Sequence, residues 1–342
     1  MKSVDAGMGA KSSHGFGRRD FLKGFAAAGA GSFLSACVSS VRREDEPCIP
    51  EHGSRERVSL AMRTLPVGVK EPFSVLHISD THLTAAYGHE REWTEFAAER
   101  TACFGGRQEE SLKASLAWAR EHVEAVVHTG DLIDFQSEAN FDLARRYFAA
   151  ADGWLTGATG NHEYHFLPRE KGVAPGEEYF SRGRTRLRGV VPFDATFHAT
   201  VVRGVNFVCM EHVYGCVSER QARLFWDEAA KGLPIVLCQH VPFFTDEIWR
   251  AARKFWYGRG RRFDGGALPA PTGSDSVSGA YRLQREDPVT CEFIARLRRE
   301  PLLKAILAGH LHFDVAERFS STAVQLVAGA NFMGHGQEIL FT

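Results

Sequence analysis

The 342-residue chain predicts an α/β fold built around a mixed sheet. In its first half, short apolar runs alternate with stretches at helical spacing, which argues for parallel strands. A hairpin pattern then interrupts the alternation, so the sheet is expected to be mixed rather than wholly parallel. Five of the apolar runs, at 73–78, 125–128, 154–159, 234–238 and 305–308, each stop at a short polar block. In open α/β sheets, chemistry collects at such strand ends because the loops there hold side chains on a rigid frame.

The elements follow in order. After the strand at 73–78 comes a long connection, 83–107, and then a helix at 109–121 with Leu112, Leu116 and Ala119 on one face. The helix at 138–151 presents Phe141, Ala144, Tyr147 and Phe148 as an apolar stripe and leads into the strand before Gly160. Runs at 196–202 and 205–210 flank Arg203-Gly204 and read as a hairpin. Ser218 caps a helix reaching Ala230, with Gln221 placed to complete a capping box. A buried strand at 234–238, a helix at 289–299, a strand at 303–308 and a strand-like run at 322–327 close the chain.

Between them, 242–287 interrupts the pattern. Its first half is aromatic and basic (Trp249, Arg253, Phe255, Trp256, Tyr257, Arg259, Arg261, Arg262), and 265–279 is rich in Gly, Pro and Ser. An interruption of that length suits a lid whose guanidinium groups hold a second phosphate, or else a surface helix with aromatic anchors packed beneath it.

The N-terminus reads as targeting sequence. Arg18-Arg19-Asp20-Phe21-Leu22-Lys23 precedes an Ala/Gly-rich apolar stretch and resembles a twin-arginine export signal. The stretch is roughly 13 residues, short of the ~20 that span a bilayer as a helix. It ends in Leu34-Ser35-Ala36-Cys37, which resembles a lipobox and makes Cys37 a lipid attachment point, the rival being ordinary cleavage after Ala36. The expected organisation is therefore a signal at 1–37, a tether at 38–70 and one catalytic domain at 71–342 carrying the lid-like insertion at 242–287. The twin-arginine translocase would be a partner during export, and the destination is the periplasm or a membrane-tethered face of the cell envelope.

Composition limits the partners. A net charge of -1 offers no global attraction to polyanions, so a stable nucleic-acid complex is not expected. Six cysteines remain after Cys37; they form no CxxC pair, and Cys209 and Cys238 fall in apolar runs where a small buried thiol is the expected state.

The polar blocks are Asp80-Thr81-His82, Gly130-Asp131 with Asp134, Gly160-Asn161-His162-Glu163, His240 and Gly309-His310-Leu311-His312. Carboxylate, imidazole and amide oxygen form a donor set of intermediate hardness, suited to manganese, iron or zinc rather than calcium. Bringing Asp80 and Asp131 together without a cation would cost several kcal/mol per buried ion. In order and content the blocks resemble the calcineurin-like metallophosphoesterase family, from the strand at 73 to about Phe313.

That resemblance implies a four-layer α/β/β/α sandwich of two mixed sheets flanked by helices. It places Asp80, His82 and His312 on one transition-metal ion, Asn161, His240 and His310 on a second, and Asp131 between them. It gives His162 the catalytic task of meeting the leaving oxygen, oriented by Asp134. The implied reaction is hydrolysis of a phosphate mono- or diester by a hydroxide bridging two metal ions. Two departures narrow the family. Phe135-Gln136 stands where serine/threonine protein phosphatases carry Arg-Gly, and Asp134 replaces the tyrosine ligand of purple acid phosphatases. A small phosphorylated substrate, such as a nucleotide or sugar-nucleotide, is expected.

His77 and His128 lie on predicted strands and read as satisfied core histidines, and Glu163 as a local loop hydrogen-bonder. The rival function is a noncatalytic, metal-containing binding protein of the envelope. A metallopeptidase is disfavoured because no HExxH helix is present.

Overall fold

The computed structural model describes residues 58–151, 153–165, 177–213, 215–257 and 287–342. The expected export signal with Cys37, most of the expected tether, and 258–286 of the insertion lie outside the described residues. The described strands are β1 (Ser59–Leu65), β2 (Phe73–Ile78), β3 (Ala125–His128), β4 (Leu155–Gly157), β5 (Phe197–Val202), β6 (Val205–Met210), β7 (Ile235–Cys238), β8 (Leu303–Ala308), β9 (Val315–Arg318), β10 (Val324–Val327) and β11 (His335–Phe341). The helices are α1 (Arg91–Cys103), α2 (Gln108–His122), α3 (Glu138–Ala151), α4 (Glu177–Leu187), α5 (Glu219–Ala229), α6 (Asp246–Tyr257) and α7 (Pro288–Leu297).

Two mixed sheets form the centre, ordered β1-β11-β2-β3-β4 and β5-β6-β7-β8-β10-β9. In the first, β2, β3 and β4 run parallel while β11 is antiparallel to β2. In the second, β6, β7, β8 and β10 are parallel, with antiparallel β5 and β9 at the edges. Side-chain alternation explains the layering. Val75, Val127, Ile339 and Phe341 from the first sheet meet Phe207, Cys209, Val236, Cys238, Ala305 and Leu307 from the second. The alternate residues of the second sheet, Val208, Met210, Ile235 and Leu237, pack on Phe225 of α5 and on Phe293, Ile294 and Leu297 of α7. On the first sheet, α2 buries Leu112, Leu116 and Ala119 and packs against β2 and β3. This is the expected four-layer α/β/β/α sandwich.

Local chemistry accounts for several boundaries. Arg203 and Gly204 both take positive φ, 49° and 84°, as a two-residue hairpin turn requires. Ser218 and Gln221 form a full capping box on α5, and Asp287 caps α7 ahead of Pro288 at its first turn.

Three expectations need correction. The tether does not extend to residue 70: residues 59–65 are β1, paired in parallel with β11, and Leu65 is buried between the sheets. The connection 83–107 contains α1, which buries Trp93, Ala97, Arg100 and Cys103. The strand expected at 154–159 is shorter, because its last residues turn toward the polar block. The insertion opens as α6, whose Ile248 and Ala252 pack with Leu311 and Val327, and whose Phe255 lies 4.7 Å from Phe313. The described part of the insertion thus follows the packed-helix alternative. No described helix is long and apolar enough to cross a membrane.

If β1 belongs to the core, Leu65→Ala should cost about 2–4 kcal/mol of stability, while Met62→Ala, at a side chain 61% exposed, should stay within about 0.5 kcal/mol of wild type. Urea unfolding of the two variants checks this; equal midpoints would return the strand to the tether.

Candidate metal centre

All the strands that precede the polar blocks, β2, β3, β4, β7 and β8, deliver them at their carboxyl ends. There the backbone departs from ordinary geometry. Asp80, His82, Asp131, His310 and His312 have φ of 56°, 50°, 54°, 70° and 60°, and Arg203 is the one other described non-glycine residue with positive φ. Left-handed backbone costs an L-residue about 1–2 kcal/mol, so a cluster of it marks a site where side-chain placement outweighs local comfort. Two glycines permit the close approach. A Cβ on Gly309 would lie 1.8 Å from Ser79 Oγ and 2.5 Å from Asp80 Oδ2, and one on Gly160 would lie 2.1 Å from Asp131 Oδ1.

Asp80 and Asp131 are used alike. Each gives one oxygen to the backbone of a loop carrying another site residue: Asp80 Oδ2 accepts from His310 N at 2.8 Å, and Asp131 Oδ1 from His162 N at 2.9 Å. The second oxygen of each turns to the imidazoles. Asp80 Oδ1 is 3.3 Å from His312 Nε2 and 3.8 Å from His82 Nε2, and His82 Nε2 is 3.2 Å from His312 Nε2. Asp131 Oδ2 is 3.1 Å from His240 Nε2 and 3.6 Å from His82 Nε2, and His240 Nε2 is 3.2 Å from His310 Nδ1. Asp80, His82 and His312 thus make one donor group, and Asp131, His240 and His310 another, with Asp131 reaching both. Asn161 rides on the same turn as Gly160 and His162, both of which abut Asp131.

These groups fit a cation. Bonds of about 2.0–2.2 Å put neighbouring ligand atoms roughly 3.0–3.5 Å apart, close to the separations above. Asp80 Oδ1 and Asn161 Oδ1 are buried without a hydrogen-bond partner, a costly arrangement unless something else satisfies them. The second nitrogens are fixed as metal ligands require: His82 Nδ1 donates to Asp134 Oδ1 at 2.8 Å and His240 Nδ1 to Thr129 O at 2.8 Å, leaving Nε2 of each for the centre. A third group of donor atoms joins His82 and Asp131 to His162. The ring of His162 stands edge-on to His82 at 4.6 Å, its Nδ1 lies 2.9 Å from Asp134 Oδ1, and its side chain is 17% exposed.

Glu163 accepts hydrogen bonds from the backbone N–H of Gly160, Asp131, Leu132 and Ile133, so it ties two site loops together as a loop residue should. His77 contacts Gln337 and Thr129, and His128 contacts Thr81; burial lowers their pKa values to about 4 and about 3, which keeps both neutral in the core. His212 is likewise buried and lowered to about 4. Sequence reasoning missed Arg100, which donates from Nε to Asp134 Oδ2 at 2.6 Å, and Phe332, whose ring sits 5.9 Å from His82 and 5.3 Å from His312. A family-independent signal for either was absent. Cys209 and Cys238 are buried thiols, and Cys291 is a free thiol on the surface.

Fold and donor geometry together define an α/β sandwich with a candidate metal centre at the carboxyl ends of its strands. The model of the calcineurin-like phosphoesterases matches residues 73–314, and the chain belongs to that family, a family of metal-dependent hydrolases. No curated protein matches it. Among solved structures it is similar to a dimetal phosphatase from Danio rerio, at 15% identity over 76% of this chain and 88% of that one, with a TM-score of 0.38. The phosphopantetheinyl hydrolase of Mycobacterium tuberculosis matches at 15% identity over 79% of this chain and 91% of that one, with a TM-score of 0.35. A 5'-nucleotidase from Candida albicans matches at 12% identity over 80% of this chain and 47% of its own length, also with a TM-score of 0.35.

Electrostatics make cation binding a proton exchange. Burial opposes charge on His82, but hydrogen bonds to Asp134 and Asp80 and the charge of Asp131 outweigh it and push the pKa up to about 10. At His240 burial is likewise overcome by Asp131, giving about 9. The metal-free protein therefore holds protons at neutral pH where cations would sit. Cation uptake should release about one proton per site, and affinity should tighten roughly tenfold per pH unit until pH reaches about 9 at the His240 group and about 10 at the His82 group. Calorimetry in buffers of different ionisation enthalpy reads the proton count. The same raised values stabilise the metal-free fold fully below the ordinary histidine pKa of 6.5, and that stability is lost as pH rises through about 9 and 10. Thermal melts of the metal-free protein should fall across that window, and those of the loaded protein should not.

Proposed function

We propose that the chain is an exported phosphoesterase that uses two transition-metal ions to hydrolyse a phosphate mono- or diester of a small substrate. One observation carries this reading: Asp131 Oδ2 stands 3.6 Å from His82 Nε2 and 3.1 Å from His240 Nε2, so a single carboxylate is shared by two donor groups. Asp80, His82 and His312 would hold one ion, and Asn161, His240 and His310 the other. When bound, the ions supply Lewis-acid charge for phosphoryl oxygens and acidify water.

The chain's own residues supply the rest. The backbone carbonyl of Asp134 accepts the Nδ1–H of His162 at 3.0 Å, with the Asp134 carboxylate 2.9 Å from the same nitrogen, which leaves Nε2 for the leaving oxygen of the ester. His162 and His312, with side chains 17% and 15% exposed, border solvent, whereas Asp80, Asp131, Asp134, His82 and His240 are buried. The ester is therefore met from the side of His162 while the carboxylates stay out of bulk water, where their fields are least screened. At Phe135, where protein phosphatases carry an arginine, the side chain is fully buried and stacks on Trp93 at 4.7 Å, which supports a small substrate over a phosphoprotein. Manganese, iron and zinc all suit the donors. A nucleotide or sugar-nucleotide is the substrate class we favour, and the twin-arginine signal with lipidated Cys37 supports an envelope location.

Protein loaded with each metal in turn should hydrolyse an aryl phosphate or its diester. His162→Asn should keep its metal and lose about 10²–10⁴-fold in rate, whereas Asp131→Asn should lose metal as well, both read by elemental analysis beside the assay. Unchanged turnover in the His162 variant, or metal-loaded wild type inert toward every ester, would favour the noncatalytic binding protein. For export, mass spectrometry of the mature N-terminus should find diacylated Cys37; an unmodified residue following Ala36 removes the lipid anchor.

A further inference from the structure

The sequence gives no hint of a role for Arg100, which lies on α1 in what reads as a connection. In the fold its side chain is 6% exposed and closes on Asp134, itself fully buried, with Nε 2.6 Å from Oδ2 and Nη2 2.9 Å from Oδ1. Two parallel N–H donors fix the plane of a carboxylate as one donor does not. Asp134 Oδ1 also accepts from His82 Nδ1 at 2.8 Å and lies 2.9 Å from His162 Nδ1, whose N–H is shared with the Asp134 backbone carbonyl at 3.0 Å. One carboxylate thus orients both a donor of the first metal group and the histidine proposed to meet the leaving oxygen.

A second contact runs to the same place. The Arg100 guanidinium carbon lies 4.7 Å from the centre of the Phe104 ring, and that ring stacks on His82 at 4.5 Å with planes 19° apart. Arg100 therefore braces His82 through Asp134 at its edge and through Phe104 at its face. Stability alone does not explain the pair, because a buried ion pair is often no better than apolar residues of the same volume. Geometry does: rotation of the Asp134 carboxylate would swing His82 and at the same time draw the negative charge away from His162 Nδ1.

We infer that Arg100 is a positioning residue of this centre, holding Asp134 in the one plane that sets His82 toward a cation and His162 toward the ester. The part concerning His162 rests on the phosphoesterase reading; the part concerning His82 does not.

The test uses the full chain as wild type, Arg100→Met, Arg100→Lys, Asp134→Asn and the double variant Arg100→Met with Asp134→Asn. Manganese or zinc is titrated into metal-free protein against a chromophoric chelator, and loaded protein is assayed on an aryl and an alkyl phosphate. Arg100→Met should weaken metal binding about 10- to 100-fold and slow the alkyl ester, the one needing help at its leaving oxygen, more than the aryl ester. Arg100→Lys should recover part of both losses, and the double variant should be no worse than Asp134→Asn alone. Wild-type metal affinity in folded Arg100→Met, or losses that simply add in the double variant, would overturn the inference. If Arg100→Met does not fold, Arg100→Lys decides: a weakened metal constant supports the role, and an unchanged one ends it. Wild type that hydrolyses neither ester sinks the phosphoesterase reading, while the metal titrations still judge Arg100.

Discussion

The constraint on which the site depends is buried negative charge. Asp80, Asp131 and Asp134 are each at most 1% exposed and lie in one cluster. Leaving such carboxylates unpaired costs several kcal/mol per ion, so every neighbour is a source of positive charge or of N–H donors. The backbone of His162 and His310 answers Asp131 and Asp80, Arg100 answers Asp134, and imidazoles surround what remains. In the metal-free protein the excess is met by protons on His82 and His240, and exchanging those protons for cations satisfies the same electrostatic demand with stronger charges.

Holding that charge in place requires backbone that would not persist elsewhere. Five site residues sit in the left-handed region, and the glycines beside them allow loops to approach within a Cβ's breadth of the carboxylates. Strained turns of this kind survive only where their flanks are immobile. Here the flanks are strands β2, β3, β7 and β8, buried on both faces, and the GHLH turn is pressed from the side by α6 through Leu311. The packing of the core is thus the support of the chemistry.

Much of this was legible in the sequence, and the exceptions share a cause. Strands buried on both faces read as continuous apolar runs ending at polar blocks, which is why β2, β3, β7 and β8 and the residues Asp80, Asp131, His240 and His310 stood out. Edge and half-exposed elements do not read that way. β1 alternates Met62, which is exposed, with partly buried residues, and β11 begins His335-Gly336-Gln337, so neither resembles a core strand until the two are paired. In α1 the buried stripe of Trp93, Ala97, Arg100 and Cys103 includes an arginine, and a count of apolar positions passes over it. Arg100 was invisible for the same reason: an arginine looks solvated in a sequence unless its carboxylate partner, 34 positions away, is known to face it.

The arrangement of the donors has a consequence for how the two halves of the fold are joined. Asp80 and His82 follow β2 of the first sheet while His312 follows β8 of the second, and Asp131 follows β3 of the first while His240 and His310 follow β7 and β8 of the second. Each donor group therefore spans both sheets. Below the site the sheets are joined by the close-packed apolar layer of Val127, Phe207, Cys238 and Leu307, whose contacts are non-directional. At the carboxyl edge the contact is polar and directional, and a cation bound there tolerates errors of only a few tenths of an ångström in its ligand distances. A cation held there would therefore favour one alignment of the two sheets, because each donor group draws its ligands from both, and the most exacting geometry of the fold lies at that one edge.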